Sequence, residues 1–254
     1  MNKNLIDKLK IKALNLRRET LLMFIKKGEA HLGGSFSIIE ILITLFEKKL
    51  NKNEDKFILS KSHASYPFCL MLKEKGFKPK MTTHLEIDEK NGIHCTTGSL
   101  GHGLPIATGM AFAKKFLKIK GKIYVLISDG ECQEGTTWES LLIGAKHKLD
   151  NLIVLVDYNK IQALSKLQDA LPLDNILSKF KSFNLHCINV KNGHSFNEIE
   201  KAFNKKSKTK KPTIIIFNTI KGKGIKEFEN DPVWHARKLN SDEILIAKKR
   251  LGIL

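Results

Sequence analysis

Two patterns of apolar positions alternate along the chain. Residues 5–27 carry apolar side chains at helical spacing and Gly28 ends that pattern, which predicts a long amphipathic helix at the start. Short apolar, β-branched runs that are typical of strands follow at 57–59, 123–127, 152–156, 187–190 and 213–217. Helical patterns lie between them at 64–75, 104–119, 135–148 and 196–203. Because the strand runs lack polar alternation, both faces of the sheet should be covered.

This alternation predicts an α/β fold, a doubly wound and mainly parallel sheet with helices on both faces. With 254 residues, 42% of them hydrophobic, the chain can bury one large core, so we expect a single domain over residues 1–254. After the last strand, Gly222 and Gly224 predict a mobile loop. Residues 221–254 are therefore expected to form an active-site loop and tail.

A formal net charge of +18 would suit a nucleic-acid partner, but the lysines are spread along the whole chain. The densest run, residues 205–211, lies between a helical pattern and a strand, where a solvated surface is the ordinary interpretation. Only 7% of the residues are aromatic, so the interleaved aromatic and basic surface of a nucleic-acid-binding protein is not indicated. The basic field would also attract sugar phosphates.

Cysteine spacing and hydropathy bear on the location of the protein. The four cysteines lie far apart without a CxxC pair, which indicates neither a zinc site nor a disulfide framework. The sequence has no run of about 18 uncharged apolar residues, and residues 1–12 are too charged for a signal peptide. We therefore expect a cytoplasmic protein that does not enter the membrane.

Candidate chemistry lies where two predicted strands end. Asp129 and Gly130 follow the run at 123–127, and Asn159 follows the run at 152–156, thirty positions after Asp129 (159 − 129 = 30). In a parallel sheet, ligands bind beyond the carboxyl ends of the strands, and carboxylate and amide oxygens suit Mg²⁺. Asp and Asn are also common at strand ends as turn formers and helix caps, so spacing alone leaves a purely structural role open.

Longer motifs identify a family. The segment SDGECQEGTTWESLLIGAKHKLDNLIVLVDYNKI resembles the thiamine-diphosphate motif, and its QEG and DYNKI elements are similar to those of transketolases. Upstream, AHLGGSFSIIEIL, FILSKSHASYPFCLML and CTTGSLGHGLPIATGMAFA are similar, in the same order, to other motifs of the transketolase cofactor domain. The resemblance runs from about residue 10 to about residue 240.

The resemblance implies a site of three parts. The Mg²⁺ ligands would be the side chains of Asp129 and Asn159 and the carbonyl of Ile161. The residues expected to contact thiamine diphosphate are His63, Gly98, Ser99, Leu100, Gly130, Glu131, Asn159 and His235. The catalytic histidines of the substrate funnel, which would donate and accept protons, are His31, His84 and His235.

Several positions depart from the family pattern. Ser128 replaces the first glycine of the cofactor motif, His102 stands where many transketolases have Gln, and TTHLE matches the motif around His84 only in part. Glu134 matches an acidic residue of a carboxylate network between subunits, although an ordinary acid at a helix N-terminus explains it equally well. The remaining histidines are interpreted as ordinary surface or core residues: His94, His147, His186 and His194.

The resemblance covers only the cofactor-binding half of a transketolase. The chain is therefore similar to the N-terminal subunit of split transketolases, whose separate C-terminal subunit carries the pyrimidine-binding domain. This implies an α2β2 heterotetramer, a chain that is inactive alone, and transfer of a two-carbon ketol unit between sugars or sugar phosphates.

Two other functions stay open at this stage. One is a component of another thiamine-diphosphate enzyme, of the deoxyxylulose-phosphate-synthase or 2-oxoacid dehydrogenase type; AHLGG resembles the former, but QEG and DYNKI favour transketolase. The other is a basic nucleic-acid-binding protein on an unrelated α/β sheet. A cofactor titration with and without Mg²⁺ separates the second from both thiamine-diphosphate enzymes.

Overall fold

We describe the protein from a computed structural model, which covers residues 1–28, 31–163, 165–207, 209–235 and 237–254. Five parallel strands form one sheet: β1 (Lys56–Leu59), β2 (Ile123–Ser128), β3 (Leu152–Tyr158), β4 (His186–Val190) and β5 (Thr213–Asn218). Their order across the sheet is β1-β2-β3-β5-β4. The predicted parallel sheet is confirmed, and the order adds a fact that the sequence did not contain: β5 lies beside β3.

Ten α-helices connect and flank the strands in the described part of the chain: α1 (Lys3–Lys27), α2 (Leu32–Phe36), α3 (Ile39–Lys48), α4 (Ser65–Glu74), α5 (Gly103–Phe116), α6 (Gly135–Lys146), α7 (Leu167–Ala170), α8 (Ile176–Ser182), α9 (Phe196–Asn204) and α10 (Ser241–Arg250). The predicted helix at 104–119 ends earlier, at Phe116, because Lys118 takes a left-handed backbone conformation. Five of these helices were not predicted: α2, α3, α7, α8 and α10. No helix in the described ranges is long and apolar enough to cross a bilayer.

The strands separate two cores. Side chains that alternate along each strand point to opposite faces, so Leu126 and Leu155 pack with α1, α3, α4 and α9, whereas Val125 and Val154 pack with α5, α6 and α8. These side chains are fully buried, and each stabilises the fold by about 1.5–3 kcal/mol relative to an exposed position. Burial on both faces explains why the strand runs show no polar alternation.

All five strands end at the same edge of the sheet, and the segments that follow them form the polar part of the molecule. Three 3₁₀ turns lie at or near this edge: Ser62–Ala64 after β1, Gly130–Gln133 after β2 and Pro232–His235 in the segment that follows β5. The predicted mobile loop after β5 contains a close backbone approach instead of open space. Gly222 has φ +77, and a Cβ there would lie 2.4 Å from the Phe228 carbonyl oxygen.

Candidate active site

A cavity of about 180 Å³ lies at the carboxyl edge of the sheet. Its walls include these residues predicted for the site: His63, Leu100, Asp129, Gly130, Asn159, Ile161 and His235. A larger cavity, of about 750 Å³, lies near α1, α9 and α10, away from these residues. The smaller cavity is the candidate active site because it gathers the predicted oxygen and nitrogen donors in one place.

Asp129 is the buried carboxylate of this cavity. It precedes the 3₁₀ turn Gly130–Gln133, and its Oδ1 accepts the Gly130 N–H at 2.9 Å while its Oδ2 accepts the Lys160 N–H at 2.6 Å. Burial, reinforced by the charge of Asp157, raises the pKa of Asp129 to about 7. Backbone groups thus fix the geometry of this carboxylate, and a divalent cation would supply the opposite charge that it needs when it is ionised.

Asn159 and Ile161 bring two further oxygens to the same cavity. The Asn159 amide nitrogen donates to Asp157 Oδ2 at 3.0 Å, so its Oδ1 is the atom that accepts the Ile161 N–H at 3.1 Å. Within the described residues, no cluster of three or more His, Cys, Asp and Glu side chains is suited to a metal. The donor set is thus one carboxylate, one amide oxygen and one carbonyl, which matches the oxygen preference of Mg²⁺.

Gly130 leaves the room that a phosphate group needs. A Cβ at this position would meet only the Ser128 hydroxyl, at 3.8 Å, so the backbone is open on the cavity side. A phosphate oxygen can therefore approach the chain closely here. Together with the three oxygen donors, this open backbone fits a Mg²⁺-diphosphate group.

The structure shows a buried ion pair at the cavity that the sequence analysis did not identify. Lys61 Nζ lies 2.5 Å from Asp157 Oδ2 and donates to the Gly34 carbonyl at 3.0 Å. Asp157 also accepts the hydroxyls of Ser37, at 2.7 Å, and Thr219. Burial alone would raise the pKa of Asp157, but the Lys61 ammonium and these hydrogen bonds outweigh it, so the net pKa lies below its usual value. The pair ties the ends of β1, β3 and β5 together.

Three of the predicted histidines form a triangle at the cavity. The ring centroids of His31, His63 and His235 are 5.4 to 5.6 Å apart. Burial, reinforced by the Lys61 charge, lowers the pKa of His63 well below its usual value, and burial with the Lys221 charge lowers that of His235 to about 3. His63 and His235 are therefore neutral at physiological pH and can each accept or donate a proton.

Lys221 is a second basic residue of the site that sequence reasoning missed. Its buried Nζ donates to the carbonyls of Ile161, at 3.1 Å, and Gln162, at 3.4 Å, and lies 2.6 Å from His235 Nδ1. Burial, together with the Lys61 charge, lowers the pKa of Lys221 to about 7. Gly222 and Gly224 marked this region in the sequence, but only the fold shows that the lysine turns inward.

Glu131 lies next to the cavity but does not face it. Its carboxylate is fully buried and accepts the N–H groups of Ser128, at 2.9 Å, and Gly101, at 3.0 Å, as well as the Ser60 hydroxyl. Burial raises its pKa. In this structure Glu131 holds the loop at Gly101 against the end of β2, so any effect on a cofactor would pass through that loop.

The loop of residues 98–100 and His84 lie at the rim of the site. A Cβ on Gly98 would come within 2.7 Å of the exposed His84 ring, so the ring packs directly on the glycine. Ser99 Oγ lies 3.2 Å from His102 Nδ1, and Leu100 reaches the cavity wall. The structure thus brings together His31, His63 and His235, while His84 stays outside the cavity.

Comparison with known proteins identifies the family of the chain. Residues 10–254 match the family described as the transketolase, thiamine diphosphate binding domain. One chain of the apulose-4-phosphate transketolase from Actinobacillus succinogenes, named as a subunit of that enzyme, is 34% identical over 96% of each chain. A 6-deoxy-6-sulfo-D-fructose transketolase subunit from a Clostridium species is 33% identical over 89% of this chain and 90% of that one.

Solved structures give the same fold. Transketolase from Campylobacter jejuni superposes with a TM-score of 0.86 and 29% sequence identity over 99% of this chain, which spans only 43% of that protein. The prediction of a transketolase N-terminal subunit with a thiamine-diphosphate-binding fold is confirmed by these matches. With a family match over nearly the whole chain and relatives of similar length above 30% identity, the chain belongs to the transketolase family, as a subunit built on its thiamine diphosphate binding domain.

Proposed function

We propose that this chain binds Mg²⁺ and thiamine diphosphate, as a single domain over residues 1–254, in a two-chain transketolase. The enzyme would transfer a two-carbon ketol unit from a ketose to an aldose. The observation that carries the proposal is the convergence of three oxygen donors, from Asp129, Asn159 and Ile161, on one cavity whose wall also holds His63 and His235.

Different residues of the cavity would bind the metal ion and accommodate the diphosphate. Asp129, Asn159 and the Ile161 carbonyl would hold Mg²⁺, and the open backbone of Gly130 would leave room for the diphosphate. Lys221 donates to the same carbonyl and would add positive charge beside this site. When bound, thiamine diphosphate supplies the nucleophilic carbon and accepts the electrons released as the ketose carbon–carbon bond breaks.

Proton transfer falls to the three histidines of the triangle. Lys221 Nζ lies 2.6 Å from His235 Nδ1. While Lys221 is an ammonium it can only donate, so Nδ1 then accepts and the ring proton resides on Nε2. His235 can therefore donate from Nε2 to a substrate oxygen. The rings of His31 and His63, which lie next to that of His235, can accept a hydroxyl proton. A group that stays neutral at pH 7 can perform either role without first losing a charge.

The substrate and the partner follow from charge and from the relatives. Two relatives of similar length are named as transketolase subunits, one for a phosphorylated and one for a sulfonated sugar. The net charge of +18 favours an anionic sugar here as well. The partner would be a separate transketolase C-terminal subunit with a pyrimidine-binding domain, in an α2β2 heterotetramer that works in the cytoplasm.

Calorimetry tests the cofactor site. Titrating thiamine diphosphate into the full chain should give Mg²⁺-dependent binding, and Asp129→Ala should abolish that dependence. Asp150→Ala is the matched control, because Asp150 is an exposed acid that pairs with Lys115 away from the cavity. Unchanged Mg²⁺-dependent binding by Asp129→Ala would refute the assignment.

Turnover tests the division into two subunits. The purified chain alone should show no ketol transfer, since one side of the cofactor would lie open to water. Adding a second polypeptide of the transketolase C-terminal type should restore transfer from a phosphorylated ketose. Robust turnover by the isolated chain would show that it needs no partner.

A further inference from the structure

A second buried charged cluster lies behind the site, on the side of α1 and α3. Arg17 and Glu40 form an ion pair at 2.7 Å with both side chains more than nine-tenths buried. His194, in the segment between β4 and α9, places its Nδ1 2.9 Å from Glu40 Oε2. None of these residues lines the candidate active site, and the sequence indicated an ordinary role for His194.

The hydrogen bonds of His194 determine its protonation state. Its Nε2 lies 2.8 Å from the backbone nitrogen of Ile220, and a backbone N–H can only donate, so Nε2 must be the acceptor. The ring proton is then on Nδ1, from which it is donated to Glu40. His194 is thus a neutral ring that joins a buried carboxylate to one backbone N–H.

That N–H belongs to the residue before Lys221. The same cluster holds the other side of the lysine, because Arg17 Nε donates to the Lys223 carbonyl at 2.8 Å. Between these two anchors, the Gly222 N–H donates to the Gly33 carbonyl at 3.0 Å. The backbone on both sides of Lys221 is therefore fixed by groups that never touch the cavity.

We propose that His194 is a positioning residue for the active site. By holding the Ile220 N–H, it keeps Lys221 Nζ against the Ile161 carbonyl and His235 Nδ1. Without this acceptor the partly buried N–H loses its partner, and the segment around Lys221 gains freedom. The effect on cofactor binding rests on the function proposed above, whereas the effect on the Ile220 N–H does not.

Two substitutions separate this role from simple packing. His194→Gln can place a carbonyl oxygen near the position of Nε2 and keep an acceptor for Ile220. His194→Asn reaches only the position of Nδ1, so it keeps the contact with Glu40 and loses the acceptor. Amide exchange at Ile220 in the full chain should be at least about tenfold faster in the Asn variant than in the Gln variant. The Kd for thiamine diphosphate with Mg²⁺ should be weaker by about the same factor in the Asn variant.

Nitrogen NMR of the wild-type ring needs no variant. It should show His194 protonated on Nδ1, and a ring protonated on Nε2 would overturn the proposal. An equal rate of amide exchange at Ile220 in both variants would overturn it as well. The proposal would also fail if the two variants differed in this rate but bound the cofactor with the same Kd. Absence of Mg²⁺-dependent cofactor binding in the wild type would instead refute the proposed function, with the exchange and NMR results still deciding the role of His194.

Discussion

Replacing Asp129 with Asn should stabilise the metal-free chain at pH 8 and destabilise it at pH 4. Asp129 is buried, and its pKa rises from an ordinary value of 3.8 to about 7 in the folded chain. A raised folded-state pKa gives stability that is complete below the unfolded pKa and is lost as pH rises through the folded pKa. Asn carries no charge, so the variant does not lose this stability.

The size of the effect follows from the two pKa values. A difference of about 3 pH units corresponds, at about 1.4 kcal/mol each, to about 4 kcal/mol lost by the wild type between pH 4 and pH 8. The Asn amide nitrogen would face one of the two backbone donors, Gly130 N–H or Lys160 N–H, at a cost of about 1–3 kcal/mol at every pH. The variant should therefore be less stable at pH 4 and more stable at pH 8, by about 1–3 kcal/mol in each case.

Urea unfolding between pH 4 and pH 8 in the presence of a chelator measures this change of sign. Addition of Mg²⁺ and thiamine diphosphate should then raise the free energy of unfolding of the wild type and leave that of the variant unchanged. Asp150→Asn, at an exposed ion pair, is the control and should show neither effect. A stability difference between Asp129→Asn and wild type that does not vary with pH would refute the reasoning.

Other changes test the histidines and the support of the site. In the reconstituted enzyme, His63→Ala should weaken cofactor binding in calorimetry. His31→Ala should lower kcat while cofactor binding is retained. Full activity of both variants would contradict the placement of these histidines in the site. Glu131→Ala leaves buried N–H donors unpaired and should lower the free energy of unfolding by about 3 kcal/mol in urea. Gly101→Ala puts a side chain at φ +80, with its Cβ only 2.6 Å from Glu134 Cβ, and should cost more than about 1 kcal/mol in the same assay; no loss would contradict the strain.

The sheet could be predicted because its signal is local. Each strand run is apolar over consecutive positions, and three of the five are followed by a predicted helical pattern, at 64–75, 135–148 and 196–203, which favours parallel crossovers. Helix α10 was not predicted because it is exposed along most of its length, and among its residues only Ala247 is buried. A helix that contributes so little to the core has a weak apolar pattern.

The predicted oxygen donors follow two adjacent strands in one motif, so their proximity could be expected from the sequence. The ion pair of Lys61 with Asp157 and the position of Lys221 could not be expected from the sequence. Both depend on the order of strands across the sheet. β5 is the last strand in the chain, yet it inserts between β3 and β4. That insertion brings Thr219 and Lys221 to the end of β3, a relation that no spacing along the chain encodes.

The two carboxylates at the ends of β2 and β3 are equally buried but have opposite electrostatic environments. Asp157 has a permanent internal cation in Lys61, whereas Asp129 has two backbone N–H donors and, among the described residues, no ammonium in hydrogen-bonding contact. Lys221 holds the Ile161 carbonyl instead. A divalent cation at this place would require Asp129 to give up its proton. Asp129 has a pKa of about 7, so this proton leaves at little cost near neutral pH, and the chain is electrostatically prepared for a cation at Asp129 and not at Asp157.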